Sequence, residues 1–443
     1  MVTIATAPRD PSTPTNDRRA TCPAKVGTRA PMESPSVTRH PTTPLARPEF
    51  VALMAMLMAT VAFSIDAMLP SLPHIAADLT PDAPNRAQLI IATFVLGLGF
   101  GTIFAGPLSD SYGRKSVIIV GAGLYCVGAA LAWQAPTLEW LLLARVLQGI
   151  GAAAPRVVAL AIIRDLFSGR AMAQMVSFVI IVFTLVPTIA PTLGAGLIAL
   201  TGSWRGIFPC FIAFAVIAVT WLTLRQPETL APENRLKPRL RPVLRAAAEV
   251  LRNPMVRGSI LVQVLAFAML FSNLSSVQMV MDATFGRASS FHWWFGLIAV
   301  IGVAGGALNL RLVVTMGMRR VVEAALAWQV VSSALFLAVA GFGLLGGEWY
   351  FVAFLAWTAS VFATAGLTLG NINAMALEPM GHIAGTAASV ISAIGTIGAA
   401  LLAAPVGLLF DGTPVPVTAG VLAYAALALI LARRLPPEHP QVL

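Results

Sequence analysis

From Ala87 to Phe104, and again from Ser116 to Trp133, the chain runs for 18 residues without a charged side chain. As a helix, a run of that length is about 27 Å long, close to the thickness of a bilayer's hydrocarbon core. Between the two runs stands Gly106-Pro107-Leu108-Ser109-Asp110-Ser111-Tyr112-Gly113-Arg114-Lys115, whose charges must reach water. This pattern predicts a hairpin of membrane-crossing helices closed by a polar turn over 106–115. A soluble domain usually carries about 25% charged residues; this chain carries 11%, with a mean hydropathy of +0.81. The strands of a membrane barrel alternate polar and apolar positions, and these runs do not.

Hydropathy and turn residues delimit twelve such segments, over 49–70, 87–108, 116–134, 139–163, 172–198, 204–224, 257–281, 292–312, 321–343, 349–374, 384–409 and 416–432. The expected fold is an all-α polytopic membrane protein in which two pseudo-symmetric six-helix bundles, 48–224 and 257–434, flank a cytoplasmic linker at 225–256. Pro227, Pro232, Pro238, Pro242 and Pro254 punctuate that linker, with a short surface helix expected around 243–251. Residues 1–47, rich in Pro, Thr, Ser and Arg, cannot bury a core and are expected to form a disordered cytoplasmic tail. Residues 435–443 form a second cytoplasmic tail. No apolar signal-peptide core precedes Phe50. Met1 and Met32 are rival start positions, Met32 standing at the more usual distance from the first crossing.

Charge sets the expected orientation. If the N-terminus is inside, the inner segments collect the arginines of the tail, Arg114 and Lys115, Arg164 and Arg170, the basic linker, and Arg319 and Arg320. Of the 29 Lys and Arg, only Arg86, Arg205 and Arg287 fall outside, while Arg145 and Arg156 lie within the fourth segment. This is the distribution that places basic loops in the cytoplasm. The net charge of +10 is therefore a topology signal and not a nucleic-acid surface. Cys22, Cys126 and Cys210 have no pairing or metal spacing, and the five histidines are scattered. No metal or cofactor is expected. A membrane enzyme would need a catalytic cluster at one interface, and a phosphate-cradling Gly-Lys-Ser/Thr loop is missing, so neither enzymatic chemistry nor ATP hydrolysis is expected. Six plus six segments around a linker point to a duplicated transporter and disfavour a channel.

Polar groups inside apolar segments are functional candidates by default. Asp66 lies toward the outer end of the first segment; it is either a reversible proton site or a helix-end carboxylate facing water. Arg145 enters the fourth segment near the same level. Its guanidinium cannot be neutralised and must find a carboxylate, carbonyls or water. Arg156 lies deeper, where it either lines a substrate cavity or reaches down its helix to Asp165. Gln263, Asn273, Asn309, Asn371 and Asn373 are either cavity hydrogen bonders or interhelical glue. Pro187, Pro191, Gly194 and Gly196 suit a bent, closely packed helix. Gly106 and Gly113 suit a tight turn, and Asp110 can cap a helix or pair with a basic residue across the two halves. Arg114 and Lys115 are gate partners or topology anchors. Glu378, in the tenth-to-eleventh loop, is either a partner for a basic residue or simply solvated.

A worn copy of the opening turn recurs in the second half, as Gly306-Ala307-Leu308-Asn309 and then Gly317-Met318-Arg319-Arg320, with extra residues between. The opening turn resembles the loop between helices two and three of the major facilitator superfamily. Leu142-Leu143-Ala144-Arg145-Val146-Leu147-Gln148-Gly149-Ile150-Gly151 resembles its fourth-helix arginine motif. Pro187-Thr188-Ile189-Ala190-Pro191-Thr192-Leu193-Gly194-Ala195-Gly196 resembles the fifth-helix motif of its drug:proton antiporters. Ser64–Pro73, Ala376–Ala387 and Asp411-Gly412-Thr413 are similar to the Bcr/CflA-type drug-resistance branch. The family loop commonly has a basic residue where this chain has Ser111, so a gate with fewer ionic partners is expected.

The resemblance implies a secondary transporter of the bacterial inner membrane that exports small amphipathic drugs by proton antiport, functional as a monomer. Asp66 and Arg145 would carry proton coupling, and Arg156, Gln263, Asn273 and Asn371 would line the cavity. Gly106, Asp110, Gly113, Arg114, Lys115, Pro187, Pro191, Gly194 and Glu378 would serve conformational change. Export of an endogenous metabolite or amino-acid derivative on the same fold is the alternative.

Overall fold

The computed structural model describes residues 45–236 and 240–436. Both expected tails lie almost wholly outside these limits. Leu45, assigned above to the first tail, is buried against the first crossing.

The first crossing is α1 (Arg47–Asp66), continued by a 3-10 turn at Leu69–Ser71 into the short α2 (Leu72–Leu79). Four crossings follow: α3 (Leu89–Tyr112), α4 (Arg114–Trp133), α5 (Leu138–Leu166), and a fifth split into α6 (Gly169–Thr184) and α7 (Val186–Thr201). The sixth is α8 (Ile207–Arg225), after which α9 (Leu240–Arg252) forms the linker helix. The remaining crossings are α10 (Pro254–Ala283), α11 (Phe291–Met316), α12 (Met318–Phe342), α13 (Gly347–Leu377), α14 (Ala384–Leu408) and α15 (Val415–Arg433). Eleven helical stretches among the described residues are long and apolar enough to cross a membrane, one of them the 62-residue run Gly347–Leu408. As one helix that run would reach about 93 Å, three times a hydrocarbon core. It comprises α13 and α14, joined by a 3-10 turn at Glu378–Ile383, and so crosses twice. Among the described residues the crossings number twelve.

The polar turn expected over 106–115 shrinks to a single residue. α3 continues through Pro107 to Tyr112 and α4 begins at Arg114, so only Gly113, at φ +97°, departs from helical geometry. Hydropathy reports where water begins, not where a helix stops, and the last turns of α3 are helical but wet. A side chain at a positive φ is strained, which is why glycine closes this junction.

The packing of the first six crossings repeats in the last six. The second and third crossings pack on the fourth (α3 and α4 on α5; α11 and α12 on α13), and the third packs on the sixth (α4 on α8; α12 on α15). The two sets then meet along two related seams, α3 against α14 and α7 against α11. Close approach depends on small residues: a Cβ added at Gly97 of α3 would lie 2.1 Å from the Val146 carbonyl oxygen of α5.

Trp133, Trp140, Trp293 and Trp349 are exposed and all lie at the end opposite the linker. Exposed tryptophans concentrate at the level of lipid headgroups, so they mark one membrane interface. The linker, Gly113 and Gly317 mark the other.

Candidate functional site

At the linker end, Arg114 is buried at the start of α4. Its Nε donates to Asp165 Oδ2 at 2.9 Å, its Nη1 donates to Ser109 Oγ at 2.8 Å, and it pairs with Asp110 one turn earlier. Glu228, from the start of the linker, accepts from the backbone N–H groups of Arg114 (2.9 Å) and Lys115 (3.1 Å). A carboxylate there satisfies amides that have no intrahelical partner and complements the helix dipole. The Thr229 hydroxyl donates to Asp165 Oδ2 at 2.8 Å, and Leu236 N–H donates to the Asp110 carbonyl at 2.9 Å. A Cβ at Gly113 would lie 2.7 Å from Glu228 Oε2.

Two expectations are corrected here, and two residues are added. Asp110 finds its basic partner within its own half, not across the two. Asp165 is held by Arg114 and Thr229 and does not receive Arg156. Asp165 and Glu228 themselves belong to this cluster, and the available signal was two acidic residues within strongly basic segments. Contact across the halves at this level comes from Gly106, where an added Cβ would lie 3.0 Å from Ser389 Oγ of α14.

The duplicated turn is real, but its register differs from the expected one. Gly317, at φ +81°, joins α11 to α12 as Gly113 joins α3 to α4. Two residues on, Lys115 Nζ donates to the Thr223 carbonyl near the end of α8 (3.0 Å), and Arg319 Nη2 donates to the Arg433 carbonyl ending α15 (2.9 Å). In each half a cation thus caps the C-terminus of the sixth crossing, where carbonyls lack partners and the dipole is negative. Gly306–Asn309 is no counterpart of Gly106–Asp110. It lies inside α11, where the Asn309 side chain accepts from Asn371 Nδ2 of α13 at 2.7 Å.

At the far end, three helices clasp the last turn of α1. Arg145, fully buried, donates from Nη2 to the Ser64 carbonyl (3.0 Å) and from Nη1 to Gln148 Oε1 (2.6 Å), with its guanidinium 4.3 Å from the Phe94 ring centroid. Ser64 Oγ donates to the Thr60 carbonyl (2.6 Å), so the Tyr125 hydroxyl, 2.6 Å away, donates to it. From α7, Gly194 presses on the backbone of Ala67, where an added Cβ would lie 2.1 Å from the carbonyl oxygen. The fifth crossing breaks at Leu185, two residues before Pro187, and carries Pro191 within α7.

Asp66 ends α1 beside this clasp. It is buried, and its carboxylate has no hydrogen-bond or ion-pair partner among the described residues. It makes no ion pair with Arg145, which instead grips the backbone two residues before it.

The remaining candidates are dispersed. Arg156 is half-exposed within α5 and has no partner among the described residues. Gln263 and Asn273 are buried on α10, each with a side-chain oxygen that has no partner among the described residues. Asn371 Nδ2 donates to Asn309 Oδ1 (2.7 Å) and to the Leu367 carbonyl (2.9 Å), linking α13 to α11. Glu378 is exposed and has no ion-pair partner among the described residues; at that loop His382 Nε2 lies 2.6 Å from Glu249 Oε1 of the linker helix.

The geometry can be set beside known proteins. A model of the Major Facilitator Superfamily matches residues 52–403. The chain belongs to that superfamily. The bicyclomycin resistance protein homolog of Haemophilus influenzae is 30% identical over 349 residues, covering 78% of this chain and 85% of that one. Multidrug resistance protein MdtL of Escherichia coli is 37% identical over 179 residues, 40% of this chain and 45% of its own length. The crystal structure of a D-xylose–proton symporter aligns with TM-score 0.70 at 14% identity, over 88% of this chain and 98% of that one. At that identity it speaks for the fold alone. Within the major facilitator superfamily the chain groups with the bicyclomycin-resistance, Bcr/CflA-type, branch. It is a multi-pass membrane transporter for small molecules and not an enzyme.

Proposed function

We propose that the protein exports small amphipathic compounds, bicyclomycin-like drugs among them, across the bacterial inner membrane in exchange for protons. Both termini and the linker face the cytoplasm, and one chain forms the functional unit. The observation that carries the coupling is Asp66, a buried carboxylate at the end of α1 with no partner among the described residues. Such a charge is costly inside a membrane, and binding a proton removes it. A proton arriving at Asp66 from outside loosens substrate, and its release to the cytoplasm resets the site. Arg145 acts through the backbone: by gripping the Ser64 carbonyl it holds the turn that presents Asp66.

Alternating access then requires the two sets of six to rock. At the far end they are tied by Asn85 Nδ2, which donates to the Leu408 carbonyl (2.6 Å), and by the Ser276 hydroxyl, which donates to Gln88 Oε1 (2.7 Å). These bonds must part when the site opens outward. At the linker end, Arg114 with Ser109, Asp110, Asp165 and Glu228 holds α3, α4 and α5 together as one rocking body.

The test is uptake of a drug panel into inside-out proteoliposomes. An imposed gradient, acid inside, should concentrate at least one amphipathic drug, and a protonophore should abolish the accumulation. Accumulation of none of the panel, with uptake of amino-acid derivatives instead, would favour metabolite export.

A further inference from the structure

Arg156 is a charge without a partner among the described residues. It follows Pro155 within α5, about 27 Å along the helix from Leu138 and about 15 Å from Leu166, and so lies deep in the membrane. A guanidinium keeps its charge at every accessible pH. Yet Arg156 forms no hydrogen bond or ion pair among the described residues, whereas Arg145 on the same helix makes several. Asp165, the acidic residue on its own helix nearest the linker, is occupied by Arg114 and Thr229. Asp66 is too far away. It adjoins the turn gripped by Arg145, and Arg145 is about 16 Å from Arg156 along the helix.

Nor does Arg156 face lipid. Leu143, 70% exposed, marks the outward side of α5, and Arg156 lies about 140° round the helix from it. It falls between the strip that meets α3, at Gly149 and Ala153, and the strip that meets α1, at Arg145. It is half-exposed there, on the inner side of its bundle.

We propose that Arg156 is an anion-binding subsite on the transport pathway, taking a carboxylate or similar oxyanion carried by the substrate. The inference rests on the export reading and narrows it. The preferred substrates are then amphipathic acids and zwitterions, with the acidic group held by the guanidinium through charge-assisted hydrogen bonds. A neutral amphipath of the same shape enters but binds less tightly.

The experiment compares two fluorescent probes, dansylglycine and its uncharged amide, binding to the full chain in lipid nanodiscs at neutral pH. The wild type should bind the acid about tenfold more tightly than the amide, the effect of one charge-assisted hydrogen bond. Arg156→Gln should bring the ratio close to one with the amide affinity unchanged, and Arg156→Lys should keep part of the preference. A wild type without acid preference, or one whose preference survives in Arg156→Gln, overturns the subsite. The wild-type ratio decides even if a variant fails to fold. Drug uptake driven by a pH gradient is read separately: drive without acid preference sinks the subsite alone, while acid preference without drive supports the subsite and sinks the antiport.

Discussion

The Tyr125 hydroxyl of α4 donates to Ser64 Oγ across 2.6 Å, and Ser64 Oγ in turn donates a hydrogen bond to the Thr60 carbonyl. The same serine's carbonyl is gripped by Arg145 at 3.0 Å. One residue of α1 thus receives two helices, two positions before Asp66. Tyr125→Phe removes one of these bonds and leaves the ring in place. The loss should cost about 1 kcal/mol of stability, seen as a small fall in Tm in detergent. Uptake driven by a pH gradient should fall several-fold relative to exchange at equal pH, because the turn carrying Asp66 is held less firmly. Equal losses in both assays would mean that Tyr125 is only structural.

Gly194 and Gly196 offer a matched pair. An added methyl at Gly194 would lie 2.1 Å from the Ala67 carbonyl oxygen, whereas at Gly196 nothing lies within 4 Å. Gly194→Ala should destabilise by about 1–3 kcal/mol through overpacking and impair transport. Gly196→Ala should leave Tm and transport near wild type.

Removing the Arg114 side chain leaves Asp165, 19% exposed at its side chain, without its cation. The cost lies between that of an exposed pair and that of a buried one, about 2 kcal/mol. Arg114→Ala should therefore yield less folded protein on size-exclusion chromatography, and adding Asp165→Asn should recover part of the loss. Glu228→Ala, which uncovers the first amides of α4, should cost about 1 kcal/mol.

The far-end tie gives a conformational test. In a background lacking native cysteines, Asn85→Cys and Leu408→Cys joined by a short bis-thiosulfonate should abolish transport. Reduction should restore it. Full transport by the cross-linked protein would contradict outward opening at this place.

Crossings were legible because each is a long local property: the short helix expected at 243–251 appears as α9, and the 62-residue run divides where Glu378–Ile383 interrupts it. The end of α3 was not legible, since polar side chains at a water interface look like a loop whether or not the backbone stays helical. Partners were legible only by residue type. That Arg114 would be a gate partner or an anchor followed from its place in the charged turn; that Asp165, 51 residues later, would join it depends on how α4 and α5 pack. The repeat was legible at Gly317 but misread at Gly306. A Gly-x-x-Asn string carries no information on its distance from the helix end, whereas a glycine at positive φ occupies the junction itself.

In the proposed cycle Asp66 carries the exchanged proton. The most direct measurement is drug uptake by Asp66→Asn in proteoliposomes, with an imposed pH gradient and, separately, as counterflow at equal pH. Asparagine keeps the shape and cannot bind the proton. Counterflow should persist within a few-fold of wild type while accumulation driven by the gradient disappears. Full gradient-driven accumulation by Asp66→Asn would contradict the account.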